Sequence, residues 1–588
     1  MCGIAGLVFT DGSQPSVDQI DRLASALKHR GPDGEGRLDV GEVSLVHRRL
    51  AIIDLETGDQ PFEDGDGISL IANGEIYNYR ELSKQIPDGL LSSKSDCELP
   101  LYLYKYHGLG FTEHLRGMYA LAIYDLKKDL LVLARDPFGI KPLYYVENER
   151  YFAFASEPQA LISADLASRT PSEAQCRELL NRQFISGRFT AFADVKRVLP
   201  GETLIVKKGE IVERLCLPAL PDRGPRGKEV AGLEARLDDA LADSVNLHQR
   251  SDVPYGMFLS GGVDSSALLA MMARLNSSPV LTYTAGFDSK SVPDERGLAR
   301  SVAEAVGATH TEITVTQQDF WRDLPAIAEA LDDPCADYAI IPSFALARAA
   351  SKDVKVILSG EGGDELFAGY GRYRRALRSR LLGGRKSRLR GLFDGADILR
   401  EPDVLSNFDS ERYRSTVGLK YSRLQAAQAV DFVDWLPNDL LIKLDRCLMA
   451  HGLEGRTPFL DRTLADFAFC LPDRAKVTAG RGKWLLRRWL SKQLPVAKPF
   501  SRKRGFTVPV GEWMETRRQQ LGDLVAAQPG VKELCKSGSV APLFQIRNKK
   551  AGQAAWVLLF YSLWYRRHIL NLSPDGDVFD CLSSSVEH

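Results

Sequence analysis

Hydrophobic and polar positions in the first third of the chain form short runs that are separated by turns. The apolar runs 118–124 and 130–134 flank the polar segment 125–129, which is the pattern of a β-hairpin. Residues 68–72 and 151–155 have the length and composition of buried strands. The sequence therefore predicts an α+β domain that is rich in antiparallel sheet.

The pattern changes in the second part of the chain, where helical segments alternate with short β-branched runs. Residues 254–259, 280–284 and 354–358 are three such runs, and glycine or serine occurs within two residues after each. Strands that alternate with helices predict a parallel, doubly wound sheet, and ligands of such sheets bind at the carboxyl ends of the strands.

The segment between these two patterns, residues 215–232, contains three prolines together with several charges and glycines. This composition is typical of an exposed connection. The predicted organisation is a first domain over residues 1–212, a linker over 213–232, a second domain over 233–570 and a tail over 571–588.

Length and composition agree with a soluble enzyme of two domains. A chain of 588 residues exceeds what one hydrophobic core usually supports. Its 76 basic and 77 acidic side chains nearly cancel, which argues against binding to nucleic acid or to an anionic membrane. The nine cysteines form no CxxC pair, so we expect a reducing, cytoplasmic location. The apolar run 554–565 is too short to span a bilayer and predicts a buried C-terminal helix.

Cys2 has a special position, because removal of Met1 leaves its thiol and a free α-amine on one residue. An α-amino group titrates at about pH 8, so it can act as a general base at working pH. One residue then supplies both the nucleophile and its base. Taken alone, a cysteine here is a weak signal, since most free cysteines are small buried hydrophobes.

Several separated segments make the signal specific, because together they resemble the class II glutamine amidotransferase family. They are residues 1–6, 29–34, 47–50, 73–78, 95–96, 116–118 and 136–145. The resemblance implies an N-terminal nucleophile (αββα) glutaminase domain in which Cys2 attacks glutamine. It also implies that Asn73 and the backbone N–H of Gly74, at a strand end, form the oxyanion hole.

The substrate glutamine carries a carboxylate and an ammonium, which call for a cation and an anion. By the same resemblance, Arg49 binds the carboxylate and Asp96 binds the ammonium. Glu75 is the third residue that the resemblance assigns to the glutamine site.

A second candidate site begins with a glycine-rich loop at residues 258–266, which follows a strand and opens a helix. The loop lacks the lysine of a Walker A motif, so it does not predict an ordinary kinase. Its glycines allow close approach of the backbone, and its serines and helix N-terminus offer donors to a pyrophosphate. This form resembles the loop of ATP pyrophosphatases, which make acyl-adenylates. The predicted ATP-binding residues here are Leu259, Ser260, Gly261, Gly262, Asp264 and Ser265.

A third motif, residues 359–370, follows the predicted strand 354–358. Ser359 and Gly360 are predicted to add to the ATP site. Asp264 and Asp364 would both lie at carboxyl ends of parallel strands, where hard oxygen ligands can hold Mg²⁺ against phosphates. Magnesium is therefore the implied cofactor, and ATP is a substrate.

The order of glutaminase motifs, pyrophosphate loop and residues 359–370 resembles the asparagine synthetase family, and the resemblance continues through residues 444–446, 453–461 and 502–506. It implies that Lys483 contacts the phosphates and that Tyr370 lies near the acyl-adenylate. Glu361 would bind the ammonium of the acceptor or position the ammonia. The arginine-rich stretch 372–390 receives no function, and a homodimer is left open.

These resemblances imply a glutamine-dependent ligase that forms an amide through an acyl-adenylate, with aspartate as the expected acceptor. One alternative keeps this chemistry but uses another carboxylate, such as a uronic acid of a surface polysaccharide. A different class of protein, a non-catalytic sensor of glutamine or ATP, is disfavoured by the intact Cys2, Asp264 and Asp364.

Overall fold

The computed structural model describes residues 2–227, 232–289, 291–378, 391–401, 418–501 and 507–585. Its first part contains twelve strands. They are β1 Gly3–Phe9, β2 Gly34–Val40, β3 Val43–Arg49, β4 Phe62–Glu63, β5 Ile68–Ile76, β6 Gly117–Asp125, β7 Leu130–Arg135, β8 Tyr144–Glu147, β9 Tyr151–Ala155, β10 Lys196–Arg197, β11 Glu202–Lys207 and β12 Glu210–Cys216.

Five α-helices accompany these strands in the described part of the chain before residue 227. They are Val17–Ala26, Tyr79–Leu82, Leu99–His107, Pro158–Ser163 and Glu173–Arg182. Short 3₁₀-helices lie at Ser83–Gln85, Asp96–Glu98 and Gly108–His114. The predicted hairpin is confirmed, because β6 and β7 pair antiparallel.

The twelve strands form two six-stranded sheets, in the orders β10-β8-β9-β1-β3-β2 and β12-β11-β7-β6-β5-β4. Ile4 of β1 and Ile71 of β5 lie in one buried cluster between the sheets. Side chains of successive strand residues point to opposite faces, and accordingly Ala5 lies in a cluster with the first helix. Leu70 likewise lies in a cluster with the helix Leu99–His107. The layers are therefore helix, sheet, sheet, helix, which confirms the αββα expectation.

The second part of the chain contains a five-stranded sheet that is parallel throughout. Its strands are β13 Tyr255–Phe258, β14 Leu281–Phe287, β15 Thr309–Val315, β16 Val356–Leu358 and β17 Glu454–Arg456, in the order β15-β14-β13-β16-β17. The chain moves outward from β13 to β15 and then returns to the other side of β13. The strand order thus reverses between β13 and β16, where doubly wound sheets bind ligands.

Helices surround this sheet and continue to the end of the described chain. The α-helices are Leu233–His248, Val263–Leu275, Arg296–Ala305, Gln317–Ala330, Ile340–Ala350, Gly363–Leu366, Gly371–Ala376, Arg423–Val433, Leu441–Met449, Arg462–Phe469, Asp473–Lys476, Trp484–Gln493, Val510–Glu515, Arg518–Ala527, Pro529–Leu534, Val540–Gln545, Lys549–His568 and Val578–Ser583. A π-helix spans Leu436–Leu440, and 3₁₀-helices span Pro458–Leu460 and Pro495–Ala497. The helix Lys549–His568 is buried along most of its length, as the apolar run predicted. Within the described residues, no helix is long and apolar enough to cross a membrane.

One predicted limit, the end of a strand, differs from the structure. The strand expected at 68–72 is β5, which runs on to Ile76 because it stays paired with β6 along its whole length. Strand β12 ends at Cys216, beyond residue 212, because it pairs with β11 up to that point. The domain limits drawn from the sequence stay a prediction. Most of the arginine-rich stretch, residues 379–390, and the motif 502–506 lie outside the described residues.

Candidate active site

The first site is built where β1 and β5 bring Cys2 and Asn73 together. The backbone N–H of Cys2 donates to Oδ1 of Asn73 over 3.0 Å. Asn73 is fully buried, and its amide nitrogen Nδ2 has no hydrogen-bond partner among the described residues. An unsatisfied buried donor is costly, so a spare N–H next to the thiol-bearing residue marks a place prepared for an acceptor.

Gly74 follows Asn73 inside strand β5 and not at a strand end. A Cβ atom built on Gly74 would come within 2.1 Å of the carbonyl oxygen of Met118 on β6. Only glycine therefore fits this close approach of two strands. Close packing against β6 therefore requires glycine at this position, and the oxyanion role of its N–H stays a prediction.

Cys2 itself is buried, and burial raises the pKa of its thiol above the usual value. The thiol is therefore protonated at neutral pH, and a base must take its proton when the nucleophile forms. The carbonyl oxygen of Cys2 accepts a hydrogen bond from Nε of Arg30 over 3.2 Å. The backbone of Cys2 is thus held at its N–H by Asn73 and at its carbonyl by Arg30.

The residues predicted to bind glutamine lie around Cys2 on neighbouring elements. Arg49 ends β3 and pairs with Asp59 at 2.8 Å. Asp96 begins a 3₁₀-helix, and its Oδ2 accepts from the N–H of Ile76 over 2.6 Å. Burial raises the pKa of Asp96 to about 6, although the hydrogen bond from Ile76 acts in the opposite direction. Asp96 is therefore ionised at neutral pH but lies close to its titration range.

Glu75, whose predicted contact with glutamine stays a prediction, has a charged partner within the protein. Its Oε2 lies 3.1 Å from Nη2 of Arg456, which is the last residue of β17 in the parallel sheet. Burial raises the pKa of Glu75 well above its usual range, and Arg456 counters this shift. Through this buried ion pair, Glu75 connects strand β5 of the first part of the chain with the parallel sheet of the second part.

The second site lies at the carboxyl ends of β13 and β16, where the strand order reverses. Two serine hydroxyls hold the loop after β13. The N–H of Ser260 donates to Ser265 Oγ over 3.3 Å. The N–H of Gly262 donates to Ser260 Oγ, also over 3.3 Å. Gly261 has φ +67°, which favours glycine. The helix Val263–Leu275 begins directly after this loop, as predicted.

Three charged residues from distant parts of the sequence meet in front of this loop. Nζ of Lys483 contacts Oδ2 of Asp264 and lies 2.6 Å from Oδ1 of Asp364. Burial lowers the pKa of Lys483, but the two carboxylates outweigh it and raise that pKa above its usual value. The positive charge of Lys483 thus joins two acidic loops, and Lys483 lies 219 residues after Asp264 in the sequence. Its contact with phosphates stays a prediction.

Glycines make this meeting sterically feasible. A Cβ atom on Gly369 would lie 1.7 Å from Oδ1 of Asp364, and one on Gly363 would lie 2.7 Å from Asp264. A Cβ atom on Gly482, next to Lys483, would lie 2.0 Å from the carbonyl oxygen of Ala368. Any side chain at these positions would push the three charges apart.

The two residues predicted for the acceptor site lie at the edge of the same loop. Glu361 accepts a hydrogen bond from the Ser359 hydroxyl. Tyr370 is partly buried and hydrogen-bonds to Glu365, and desolvation raises the pKa of Tyr370 well above its usual range. Leu259 and Gly360 lie in the loops as well: Leu259 is buried, and Gly360 packs on Asp264.

Buried charges also join the two sites. Arg30 donates from both terminal nitrogens to the carboxylate of Asp445, over 2.8 and 3.0 Å, and it also pairs with Glu157 at 2.7 Å. Asp445 lies on the helix Leu441–Met449, 415 residues away in sequence. Because the same guanidinium holds the carbonyl of Cys2, the nucleophile is tied directly to the second domain.

Sequence reasoning did not assign Arg30, Asp445 or Arg456 to the site. All three occur within segments that carried the family resemblances, 29–34, 444–446 and 453–461. Their partners are hundreds of residues away, so only the folded chain shows what they contact.

Comparison with known proteins agrees with this geometry. A family model described as "Glutamine amidotransferase domain" matches residues 1–215, and one described as "Asparagine synthase" matches residues 236–566. Asparagine synthetase [glutamine-hydrolyzing] 1 of Bacillus subtilis is 32% identical to this chain over 97% of both proteins. The chain belongs to the asparagine synthetase family. As a member it is an ATP-using, glutamine-dependent carbon–nitrogen ligase.

Two further relatives have different degrees of coverage. Asparagine synthetase [glutamine-hydrolyzing] 3 of Bacillus subtilis is 29% identical over 88% of this chain and 90% of that protein. The amidase chyE of Penicillium rubens is 32% identical over 68% of this chain and 61% of its own.

Proposed function

We propose that this enzyme makes asparagine from aspartate, with glutamine as the nitrogen donor. The observation that carries the proposal is the convergence of Asp264, Asp364 and Lys483 in one chain with the Cys2–Asn73 pair. A glutaminase alone has no use for a cluster that binds phosphate and metal. An ATP-driven amide synthesis needs both sites.

In the first site, Cys2 Sγ attacks the side-chain carbonyl of glutamine while its α-amine takes the thiol proton. Asn73 Nδ2 and the N–H of Gly74 stabilise the oxyanion. The α-amine then gives the thiol proton to the departing nitrogen, which leaves as ammonia. Water hydrolyses the remaining thioester to glutamate and restores the thiol. Arg49 and Asp96 hold the two charged ends of the substrate, and Glu75 supports the site through its pair with Arg456.

In the second site, the β-carboxylate of aspartate attacks the α-phosphorus of ATP, and pyrophosphate leaves from the loop formed by Ser260, Gly261, Gly262 and Ser265. Lys483 contacts the phosphates. Ammonia from the first site attacks the β-aspartyl-AMP, AMP departs with its bond electrons, and the nitrogen loses one proton to the departing AMP or to water. The products are asparagine, AMP and pyrophosphate.

Mg²⁺ is the metal that we propose for this site. Asp264 and Asp364 supply oxygen ligands of the type Mg²⁺ prefers, and both already converge on one cation, the ammonium of Lys483. In the described part of the chain no group of three or more metal-ligating side chains occurs, so the remaining ligands would be phosphate oxygens and water. When bound, Mg²⁺ neutralises the charge that develops on the leaving pyrophosphate.

We also propose a cytoplasmic location. All nine cysteines are free of disulfides, as expected in a reducing compartment. The homodimer stays a prediction.

Product analysis tests the adenylation step. With glutamine and L-aspartate we expect AMP and pyrophosphate in equal amounts. Asp264→Asn and Asp364→Asn each remove a metal ligand and should lower pyrophosphate release by about a hundredfold or more, while basal glutamine hydrolysis continues. Asp238→Asn, which changes a carboxylate that pairs with Arg274, serves as the matched control.

Two outcomes would overturn the proposal. Stoichiometric ADP and phosphate would mean phosphoryl transfer instead of adenylation. Pyrophosphate release with a nucleotide-linked uronate, and none with L-aspartate, would assign the enzyme to amidation of a sugar acid.

A further inference from the structure

Asp439 is a buried carboxylate that the chemistry above does not use. It lies in the π-helix Leu436–Leu440 and is 1% exposed. Neither of its carboxylate oxygens has a hydrogen-bond partner among the described residues. Buried polar groups are almost always paired, and π-helical turns are frequent at functional sites. An orphaned carboxylate in such a turn therefore calls for a ligand.

Two donors, on Arg372 and on Trp435 just before this π-helix, are also unused among the described residues. Nη2 of Arg372 and Nε1 of Trp435 are also buried without partners among the residues that the structure describes. The Arg372 guanidinium stacks on the ring of Trp435 at 5.3 Å and on that of Tyr370 at 4.3 Å. Arg372 is thus held in place by two rings and by Asp431, with one nitrogen to spare.

The charged groups that face Asp439 come from four separate elements. Burial raises the pKa of Asp439 well above its usual range, and Asp337 adds to this effect. Lys443, Arg182 and Arg372 act in the opposite direction. Lys443 pairs with Asp337 at 2.8 Å and Arg182 with Asp434 at 2.5 Å, so these two cations are already engaged. Of these charged groups, the Asp439 carboxylate and the Nη2 nitrogen of Arg372 are the ones without a hydrogen-bond partner among the described residues.

This cluster adjoins the adenylating site. Glu361, in the loop after β16, is one of the carboxylates that raise the pKa of Lys443. Tyr370, which the family resemblance places near the acyl-adenylate, carries Arg372 on its ring. The cluster is thus continuous with the place where the acceptor carboxylate must be activated.

We propose that Asp439 binds the α-ammonium of the acceptor and that Nη2 of Arg372 binds its non-reacting carboxylate. The site would take α-amino acids with a second, reacting carboxylate and would reject acids without an ammonium. This inference rests on the proposed function, because it assumes that the acceptor is an amino acid. Glu361 is then left for its other predicted role, positioning the ammonia.

The test measures acceptor-dependent pyrophosphate release with ATP, Mg²⁺ and ammonium chloride, using two acceptors. L-aspartate carries the ammonium, and succinate is the same acid without it. Asp439→Asn keeps the shape of the side chain and removes its charge. We expect the KM for L-aspartate to rise at least about tenfold with kcat changed much less, because a desolvated charge pair is lost. The preference for L-aspartate over succinate should fall by a similar factor.

Asp434→Asn is the matched control, since it changes a buried carboxylate on the same segment that is already paired. It should leave the KM for L-aspartate unchanged. A structural role for Asp439 would lower kcat or stability but would not change discrimination between aspartate and succinate. Arg372→Gln should raise the KM for L-aspartate and affect β-alanine, which lacks the second carboxylate, much less.

Outcomes that overturn this inference differ from those that overturn the proposed function. An unchanged KM for L-aspartate in Asp439→Asn would refute the ammonium site while asparagine synthesis stands. If Asp439→Asn does not fold, the wild-type enzyme still decides: equal use of succinate and L-aspartate would refute the site. A wild-type enzyme that is silent with L-aspartate would refute the proposed function itself.

Discussion

The two candidate active sites solve different electrostatic problems, and their structures differ accordingly. The two groups predicted to meet the oxyanion, Asn73 and Gly74, are neutral dipoles on strand β5, and the amide nitrogen of Asn73 has no partner among the described residues. At the adenylating site the groups carry full charges, and Lys483 lies between Asp264 and Asp364. The first site offers a neutral donor to one developing negative charge, whereas in the second the positive charge of Lys483 offsets part of the negative charge of the two carboxylates.

This difference follows from what each site binds. A tetrahedral intermediate carries one oxyanion, which fixed N–H dipoles stabilise without any movement. ATP with Mg²⁺ brings several charges, which charged groups of the protein must contact. When ATP and Mg²⁺ are absent, these protein groups need partners within the protein, because an unpaired buried charge destabilises the fold. We therefore expect the first site to keep its geometry during catalysis and Lys483 to move from the carboxylates to the phosphates.

The largest effect should come from removing the nucleophile. Cys2→Ala should lower glutamine-dependent synthesis by about a thousandfold or more, because no other group can form the thioester. Synthesis from ammonium chloride should survive, since the adenylating site receives the same ammonia from solution. Initial rates with each nitrogen source provide the measurement.

Cys97→Ala is the control for this variant, because the Cys97 thiol is buried in the same region and donates to the carbonyl of Gly74 over 3.4 Å. It should keep most glutamine-dependent activity. Glutamine-dependent synthesis by Cys2→Ala would contradict the whole account of the first site.

A smaller effect should come from removing the spare donor. Asn73→Ala deletes the unpartnered N–H beside Cys2, and loss of one oxyanion donor typically lowers kcat by about 100- to 1,000-fold. The KM for glutamine should change little, because the oxyanion exists only in the transition state. Steady-state kinetics of glutamate formation would measure both; a rise in KM at constant kcat would instead make Asn73 a substrate-binding residue.

The smallest effect is a pH dependence of glutamine binding. The pKa of Asp96 is raised to about 6, so this carboxylate, which we propose binds the ammonium of glutamine, becomes protonated as the pH falls through 6. Its ionised fraction falls about fourfold between pH 7 and pH 5.5, and kcat/KM for glutamine should fall with it.

Ammonia-dependent synthesis, corrected for the ammonia present at each pH, should lack this step. Asp96→Asn should show a high KM for glutamine at every pH. A wild-type kcat/KM that stays level down to pH 5.5 would mean that Asp96 is not the ammonium-binding group.

The glutaminase sheets and the loop after β13 could be predicted because the information is local. Two apolar runs around a polar turn predict the hairpin of β6 and β7. The glycine-rich loop likewise predicts the helix that begins directly after it at Val263. The end of β5 was misjudged, because a strand continues for as long as a neighbour pairs with it, and the neighbour is not visible in the local sequence.

Glu75 shows the same limit within the site. Its place beside Asn73 is fixed by the sequence, but its ion pair with Arg456 depends on how two domains dock. The sequence did not indicate a functional role for Asp439. An acidic residue is expected at the surface, and only the structure shows that this one is buried.

The sequence by itself determined the class of chemistry: a cysteine next to the amino terminus, two acidic loops after parallel strands, and the order in which they occur. Only the tertiary structure decided which charges meet, because a pair such as Arg30 and Asp445 is 415 residues apart and depends on packing of the whole chain. Burial, which shifts the pKa of Asp96 and leaves Asp439 without a partner, is likewise a property of the folded protein.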